Sequence, residues 1–267
     1  MKTFYLLFIS LFIISCQEKT FADDITLVYP KNTQMKIQEF NEDGNLGGDN
    51  LIYVGKIIPK INIQYYDSIL PEPPPPPKKN NEIDKSFNEI IKKEIDSIYL
   101  SQKPYFKRNL LKISLSKENE PYDSLTNKNL EIIVKQKDTI PIYKQDYISH
   151  QFKTFKAFPV FIKNISKKTL KIPTEATGVA FYTFDNERKN FYYLRNSNYM
   201  ICGIETNFYS YFELKPNEIL VYAYPYFKKG KTHKAKVKFY DASSKEFDIS
   251  IDYKIIENQR NRYIMDY

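Results

Sequence analysis

Four residue types are nearly missing from this chain: it holds two cysteines, two histidines, seven glycines and no tryptophan. Each shortage closes off some chemistry. Cys16 ends an apolar N-terminal run, which leaves Cys202 as the only thiol of the body, so no disulfide framework forms and stability must come from packing. Neither His150 nor His233 has a second histidine or a cysteine at ligand spacing, which argues against a zinc site. The sequence has no phosphate-cradling glycine loop, no GxSxG elbow and no HExxH helix. Cys202 with His150 offers a thiol nucleophile and an imidazole base, but Met200-Ile-Cys-Gly203 reads as a small buried hydrophobe beside a turn. The expectation is a non-enzymatic protein with no cofactor, no metal and no catalytic residue. Two carboxylates meeting in a cleft, as in glycoside hydrolysis, are the catalytic alternative that sequence leaves open.

What is present begins at the N terminus. Lys2 precedes the apolar run from Phe4 to Ile14, which is too short to span a bilayer and has the layout of a secretory signal. The run closes in Ile13-Ile-Ser-Cys16, and a small residue before a cysteine with branched apolar residues upstream resembles the lipobox of bacterial lipoproteins. That resemblance implies removal of residues 1–15, a diacylglyceryl group on the Cys16 sulfur and an acyl group such as palmitate on its amino terminus. Several acyl chains anchor firmly, since each buried methylene contributes about 0.8 kcal/mol. No aspartate directly follows Cys16, which leans toward the outer membrane, and the Lys, Asn, Ile, Tyr and Phe bias resembles AT-rich Bacteroidota. In that group a short charged signal sends lipoproteins to the surface. Glu18 and Lys19 match it only in part, so the periplasmic and surface faces both stay open.

Loss of residues 1–15 removes one lysine and no acid and lowers the formal charge from +8 to +7. That excess is modest for nucleic acid and points instead to anionic envelope polymers or lipid head groups. No later run approaches the length of a membrane-spanning helix, so the lipid anchor is the expected membrane element.

Composition divides the mature chain. Residues 16–81 read as a lipidated arm holding strand-like fragments, Ile25 to Tyr29 and the alternating Ile61, Ile63 and Tyr65, and ending in the rod Pro71-Glu-Pro-Pro-Pro-Pro-Pro77. Consecutive prolines fix φ and supply no amide donors, so this stretch reads as a spacer. Residues 82–103 hold an amphipathic helix, because Ile83, Phe87, Ile90, Ile91, Ile95 and Ile98 recur at intervals of three and four. From 105 to 256 the pattern is of short strands separated by turn residues, and 257–267 is a tail.

Ten strands are predicted, beginning near 110, 130, 158, 169, 178, 191, 208, 219, 234 and 247. The last two alternate: Ala235, Val237 and Phe239 against Lys234, Lys236 and Lys238, then Phe247, Ile249 and Ile251 against Asp248, Ser250 and Asp252. Pairing Phe239 with Phe247 unites the apolar rows and sets Lys238 opposite Asp248 and Lys234 opposite Asp252. The runs Pro159 to Ser166, Leu170-Lys-Ile-Pro173 and Leu214-Lys-Pro-Asn-Glu218, with the terminal hairpin, resemble the immunoglobulin-like sandwiches of exported bacterial proteins. The resemblance implies an antiparallel β-sandwich, with Asn217 in the left-handed turn position where that family carries glycine. It brings no activity with it.

Two surface features remain. Lys228, Lys229 and Lys231 open a stretch of six lysines and no acid running to Lys238, a candidate anion-binding surface weighed against a solvated strand face. Phe191-Tyr-Tyr193 and Phe208-Tyr-Ser-Tyr-Phe212 offer rings for stacking on sugars, although alternation sends half of each cluster inward. Taken together, the expectation is a membrane-anchored envelope lipoprotein acting as a binding or scaffolding module. Its partner is an envelope protein or an anionic polymer. The alternatives are a polysaccharide-binding or polysaccharide-cleaving protein and a toxin-immunity lipoprotein.

Overall fold

Two continuous apolar runs, Ala157 to Ile162 and Ile219 to Tyr224, dictate the centre of the fold, because a strand with no polar face must be covered on both sides. The computed structural model describes residues 19–31, 33–38, 50–63, 89, 93, 111–116, 121–145, 152–173, 178–194 and 209–262. Among these the fold is mainly β. A short 3-10 turn, Phe21–Asp24, leads into fifteen strands: β1 Thr26–Val28, β2 Asn50–Lys56, β3 Lys60–Asn62, β4 Ile113–Ser116, β5 Leu130–Val134, β6 Ile140–Gln145, β7 Phe152–Asn164, β8 Leu170–Pro173, β9 Ala180–Asp185, β10 Asn190–Tyr193, β11 Tyr209–Leu214, β12 Glu218–Pro225, β13 Lys231–Phe239, β14 Ala242–Ser243 and β15 Phe247–Ile251. A helix, α1, spans Tyr253–Arg262.

The largest sheet runs β2-β12-β7, and β5 and β6 lie end to end along the far edge of β7. Between them a short loop interrupts the pairing. Pro159 of β7 sits at this interruption; it has no N–H to give, and its carbonyl accepts from the Lys135 N–H at 3.1 Å. Even-numbered residues of β7 and β12 (Phe158, Val160, Ile162, Leu220, Tyr222, Tyr224) point into one core. Odd-numbered ones (Phe155, Ala157, Phe161, Ile219, Val221, Ala223) point into another.

The first core is closed by two further sheets, β4-β11-β8 and β10-β9-β13 with β14 and β15 on the outer edge of β13. Leu170, Ile172, Phe181, Phe212, Leu214, Val237, Phe239 and Ile251 all reach it, which makes the arrangement that of a β-sandwich. The second core is closed by the N-terminal chain. Ala22, Ile25, Ile61 and Ile63 lie over Phe155, Phe161 and Val221, and the ammonium of Lys135 ties this layer down by donating to the Ala22 carbonyl at 2.8 Å and pairing with Asp23 at 3.2 Å. Residues 16–81, expected as an arm, therefore supply β2 to the largest sheet and a covering layer to one of its faces. Each buried aliphatic side chain there is worth roughly 1.5–3 kcal/mol relative to exposure.

The loop motifs behave as their chemistry requires. Asn164, buried at the end of β7, donates through Nδ2 to the carbonyls of Lys168 (2.9 Å) and Leu214 (2.8 Å) and accepts through Oδ1 from the amide (2.9 Å) and hydroxyl (2.7 Å) of Ser166. One side chain thus joins the β7–β8 turn to the β11–β12 turn. In the second turn Asn217 has φ of 62°, the left-handed geometry expected of it, and its N–H reaches the Asn164 carbonyl at 2.9 Å.

Two expectations change. The apolar rows of the terminal strands face the core, but Ala235, not Phe239, lies opposite Phe247, and Lys234, not Lys238, lies opposite Asp248. The offset is four residues, an even slip that keeps every side chain on its face. It arises because β14 occupies the place beside Lys238 and Phe239. The last strand also stops short of Tyr253, where α1 begins: Asp252 accepts the Lys254 N–H through Oδ1 at 3.0 Å, and Ile255 and Ile256 bury themselves in the first core. Of the helix expected over 82–103 only Glu89 and Lys93 are described, both helical. The proline rod, Cys16, His150 and Cys202 lie outside the described residues. Among the described residues no helix is long and apolar enough to cross a membrane.

Candidate functional site

The lysine stretch from 228 to 238 is continuous in sequence and divided in space. Lys228 and Lys229 sit in the segment entering β13, and Lys231 begins that strand; all three are exposed. Their backbone is pinned: the Gly230 N–H donates to Ser250 Oγ at 2.9 Å, that hydroxyl donates to the Gly230 carbonyl at 2.7 Å, and the Asp252 N–H donates to the Lys228 carbonyl at 2.7 Å. Glycine is needed at 230, since a Cβ there would lie 2.3 Å from the Ile251 carbonyl oxygen. Lys231 shares its parity with His233, opposite Ile251 and Ile249. Burial first, and then the charge of Lys231, lowers the His233 pKa below its ordinary 6.5.

Lys234, Lys236 and Lys238 point the other way, onto the outer face of the sheet. Lys234 pairs with Asp248 at 2.8 Å, and that carboxylate raises the lysine pKa by hydrogen bonding and by charge. The next two meet rings instead of acids. Lys236 lies over Phe191, 4.1 Å from the ring centroid, and Lys238 lies 5.1 Å from that of Tyr182. Neither has a carboxylate within ion-pair distance among the described residues.

The rings come from β9 and β10. Phe191 faces Phe184 across the ladder and Tyr193 faces Tyr182, so period-two alternation puts all four on one side. Phe184 and Phe191 meet edge to face at 5.1 Å, Tyr182 and Tyr193 are tilted at 5.8 Å, and each is half-buried. The opposite parity of β9, Phe181, Thr183 and Asp185, is buried. The outer face of this sheet is thus a two-by-two patch of rings with an ammonium group over two of them.

Sequence reading singled out Phe191 and Tyr193 and passed over Tyr182 and Phe184. A signal existed: Phe181-Tyr-Thr-Phe184 puts rings on both parities of one strand, so some had to face out. The second ring cluster is split. Tyr209 and Tyr211 are half-buried, Phe212 is in the core and Phe208 lies outside the described residues.

Among the described residues no three His, Cys, Asp or Glu side chains gather as metal ligands would. Comparison with known proteins adds no template: no family model, no curated protein and no solved structure matches the chain.

Proposed function

We propose that this protein is a lipid-anchored envelope lipoprotein whose immunoglobulin-like β-sandwich serves as a non-enzymatic binding module. The observation that carries the reading is the outer face of the β10-β9-β13 sheet, where rings and cations are presented together on a frame fixed by the core beneath. Partly exposed aromatic side chains supply contact area at low entropic cost, and cations beside them give orientation.

The anchor supports the same reading. Ala22 is buried in the second core, so a lipid on Cys16 would be joined to that buried residue by the five residues 17–21, at most about 20 Å of extended chain. The test has two arms. Cells labelled with palmitate should label the wild-type chain and not Cys16→Ser, and affinity capture of the lipidated protein from its native membrane should recover an envelope component. Labelling of Cys16→Ser would refute the anchor, and capture of nothing beyond background would refute the binding role.

A further inference from the structure

We infer that the ring and lysine face binds an acidic polysaccharide. The inference deepens the binding role just proposed and rests on it. Three features of the face select this ligand. Its four rings, Tyr182, Phe184, Phe191 and Tyr193, form a two-by-two patch on neighbouring strands of one sheet, with one pair edge to face and the other tilted, so partly exposed ring faces and edges are offered to the C–H groups of a sugar. Lys236 and Lys238, two residues apart on β13, reach over Phe191 and Tyr182 and have no acidic partner among the described residues, so they supply the charge complement for carboxylates of a sugar held against the patch. Lys234, spent on Asp248, marks where the cationic edge ends.

Orientation argues against the lipid head groups of the protein's own membrane. The layers stack in order: the N-terminal cover, the largest sheet, then the sheet of β9, β10 and β13, whose outer side carries the rings. Adjacent sheets lie about 10 Å apart, so the face is on the order of 20 Å from the layer that holds Ala22, six positions after Cys16 in sequence, and turned away from that layer. A polymer extending from the envelope reaches that side more readily than the anchoring bilayer does.

The experiment measures equilibrium binding of the purified full-length protein to polygalacturonate, to its methyl ester, to dextran and to vesicles containing one-quarter phosphatidylglycerol. The expected result is salt-sensitive binding to polygalacturonate, weakened about tenfold in the double variant Lys236→Gln/Lys238→Gln and again in Tyr193→Ser. Lys236→Arg/Lys238→Arg should restore most of it. Lys228→Gln/Lys229→Gln/Lys231→Gln should bind as wild type does, because those side chains lie off this face. Circular dichroism melts of each variant separate lost binding from lost fold, and Tyr182→Leu, which keeps an apolar side chain, is a second ring variant if Tyr193→Ser melts early. Equal binding to the methyl ester or dextran, binding to vesicles alone, loss only in the Lys228/Lys229/Lys231 variant, or no polymer binding at all would each overturn the inference. The anchoring reading is tested separately by palmitate labelling and survives any of these outcomes.

Discussion

Asn164→Ala should be among the most damaging single changes in the molecule, although it removes only a small polar side chain. The side chain is completely buried and makes four hydrogen bonds, two donated and two accepted. Its bond to the Leu214 carbonyl is in the interior, so truncation leaves that oxygen without a partner, at about 1–3 kcal/mol. The other three bonds are part-buried, and water replaces them incompletely at about 0.5–1.5 kcal/mol each. Because the four share one atom framework they are not additive, and a total of about 3–5 kcal/mol is expected. Urea unfolding of residues 17–267 should show a midpoint lower by about 1–2 M with an unchanged slope. Asn164→Asp should be equally costly, since it turns an oxygen toward two carbonyls and buries a charge. Ser166→Ala, which removes one hydroxyl, should cost about 0.5–1.5 kcal/mol, and exposed Lys167→Ala should fall within about 0.5 kcal/mol of wild type. An Asn164→Ala midpoint within error of Lys167→Ala would refute the assignment of this residue as the tie between the two turns.

Further outcomes follow from other parts of the structure. Val237→Asp puts a charge where exposure is 0% and should cost about 4 kcal/mol or more in the same assay, whereas Lys238→Glu, on the outer face, should cost at most about 1 kcal/mol; equal losses would contradict the face assignment. Removing residues 1–80 strips Ala22, Ile25, Ile52, Ile61 and Ile63 from the second core, so the remainder should bind a hydrophobic dye and lose its sharp thermal transition; a cooperative melt would show that the covering layer is dispensable. Asp23 accepts hydrogen bonds from Thr20 and from Lys135, which lower its pKa from 3.8 to about 2; its contribution is present above pH 4 and lost as pH falls through 2, and Asp23→Asn should flatten that part of the stability profile measured by acid titration. Gly230→Ala forces a Cβ against the Ile251 carbonyl and should lower the melting temperature more than Lys229→Ala does.

How far the sequence could be read depends on which periodicity each feature obeys. Alternation in β13 and β15 places Ala235, Val237, Phe239, Phe247, Ile249 and Ile251 on the core face, as they are. It does not choose among registers that differ by an even number of residues, and the choice fell to the turn, where Ala242 and Ser243 add a short strand that no pattern marks. The N-terminal layer was obscured for a different reason. Strand-like fragments were legible at Ile25 to Tyr29 and from Ile61, where Thr26–Val28 and Lys60–Asn62 form strands of three residues, but what they cover was not, because their burial is set by a surface far away in sequence. The demand for them was nevertheless written in Ala157 to Ile162 and Ile219 to Tyr224, because strands apolar on both sides need two covers and one sandwich partner supplies a single cover. Asn217 was legible because its constraint is local: the turn requires a positive φ, and asparagine is among the few residues other than glycine that accept one readily.

The same layering separates what stabilises the molecule from what would let it bind. Rings on the outer face are partly exposed, and the lysines beside them contribute no more than about 1 kcal/mol each, so changes that keep an apolar side chain, such as Tyr182→Leu, or that only remove charge, such as Lys236→Gln, should leave the unfolding transition close to where it was. Core residues directly beneath, such as Phe181 and Val237, have 0% exposure and touch nothing outside. Substituting them alters binding only by changing the fraction folded, which a melt reports independently. A plot of binding loss against stability loss should therefore divide into two groups: outer-face variants near the binding axis, and core and turn variants, Asn164→Ala included, near the stability axis. Outer-face variants that moved along both axes together would mean the rings are part of the frame, and the binding surface would then have to be sought elsewhere on the molecule.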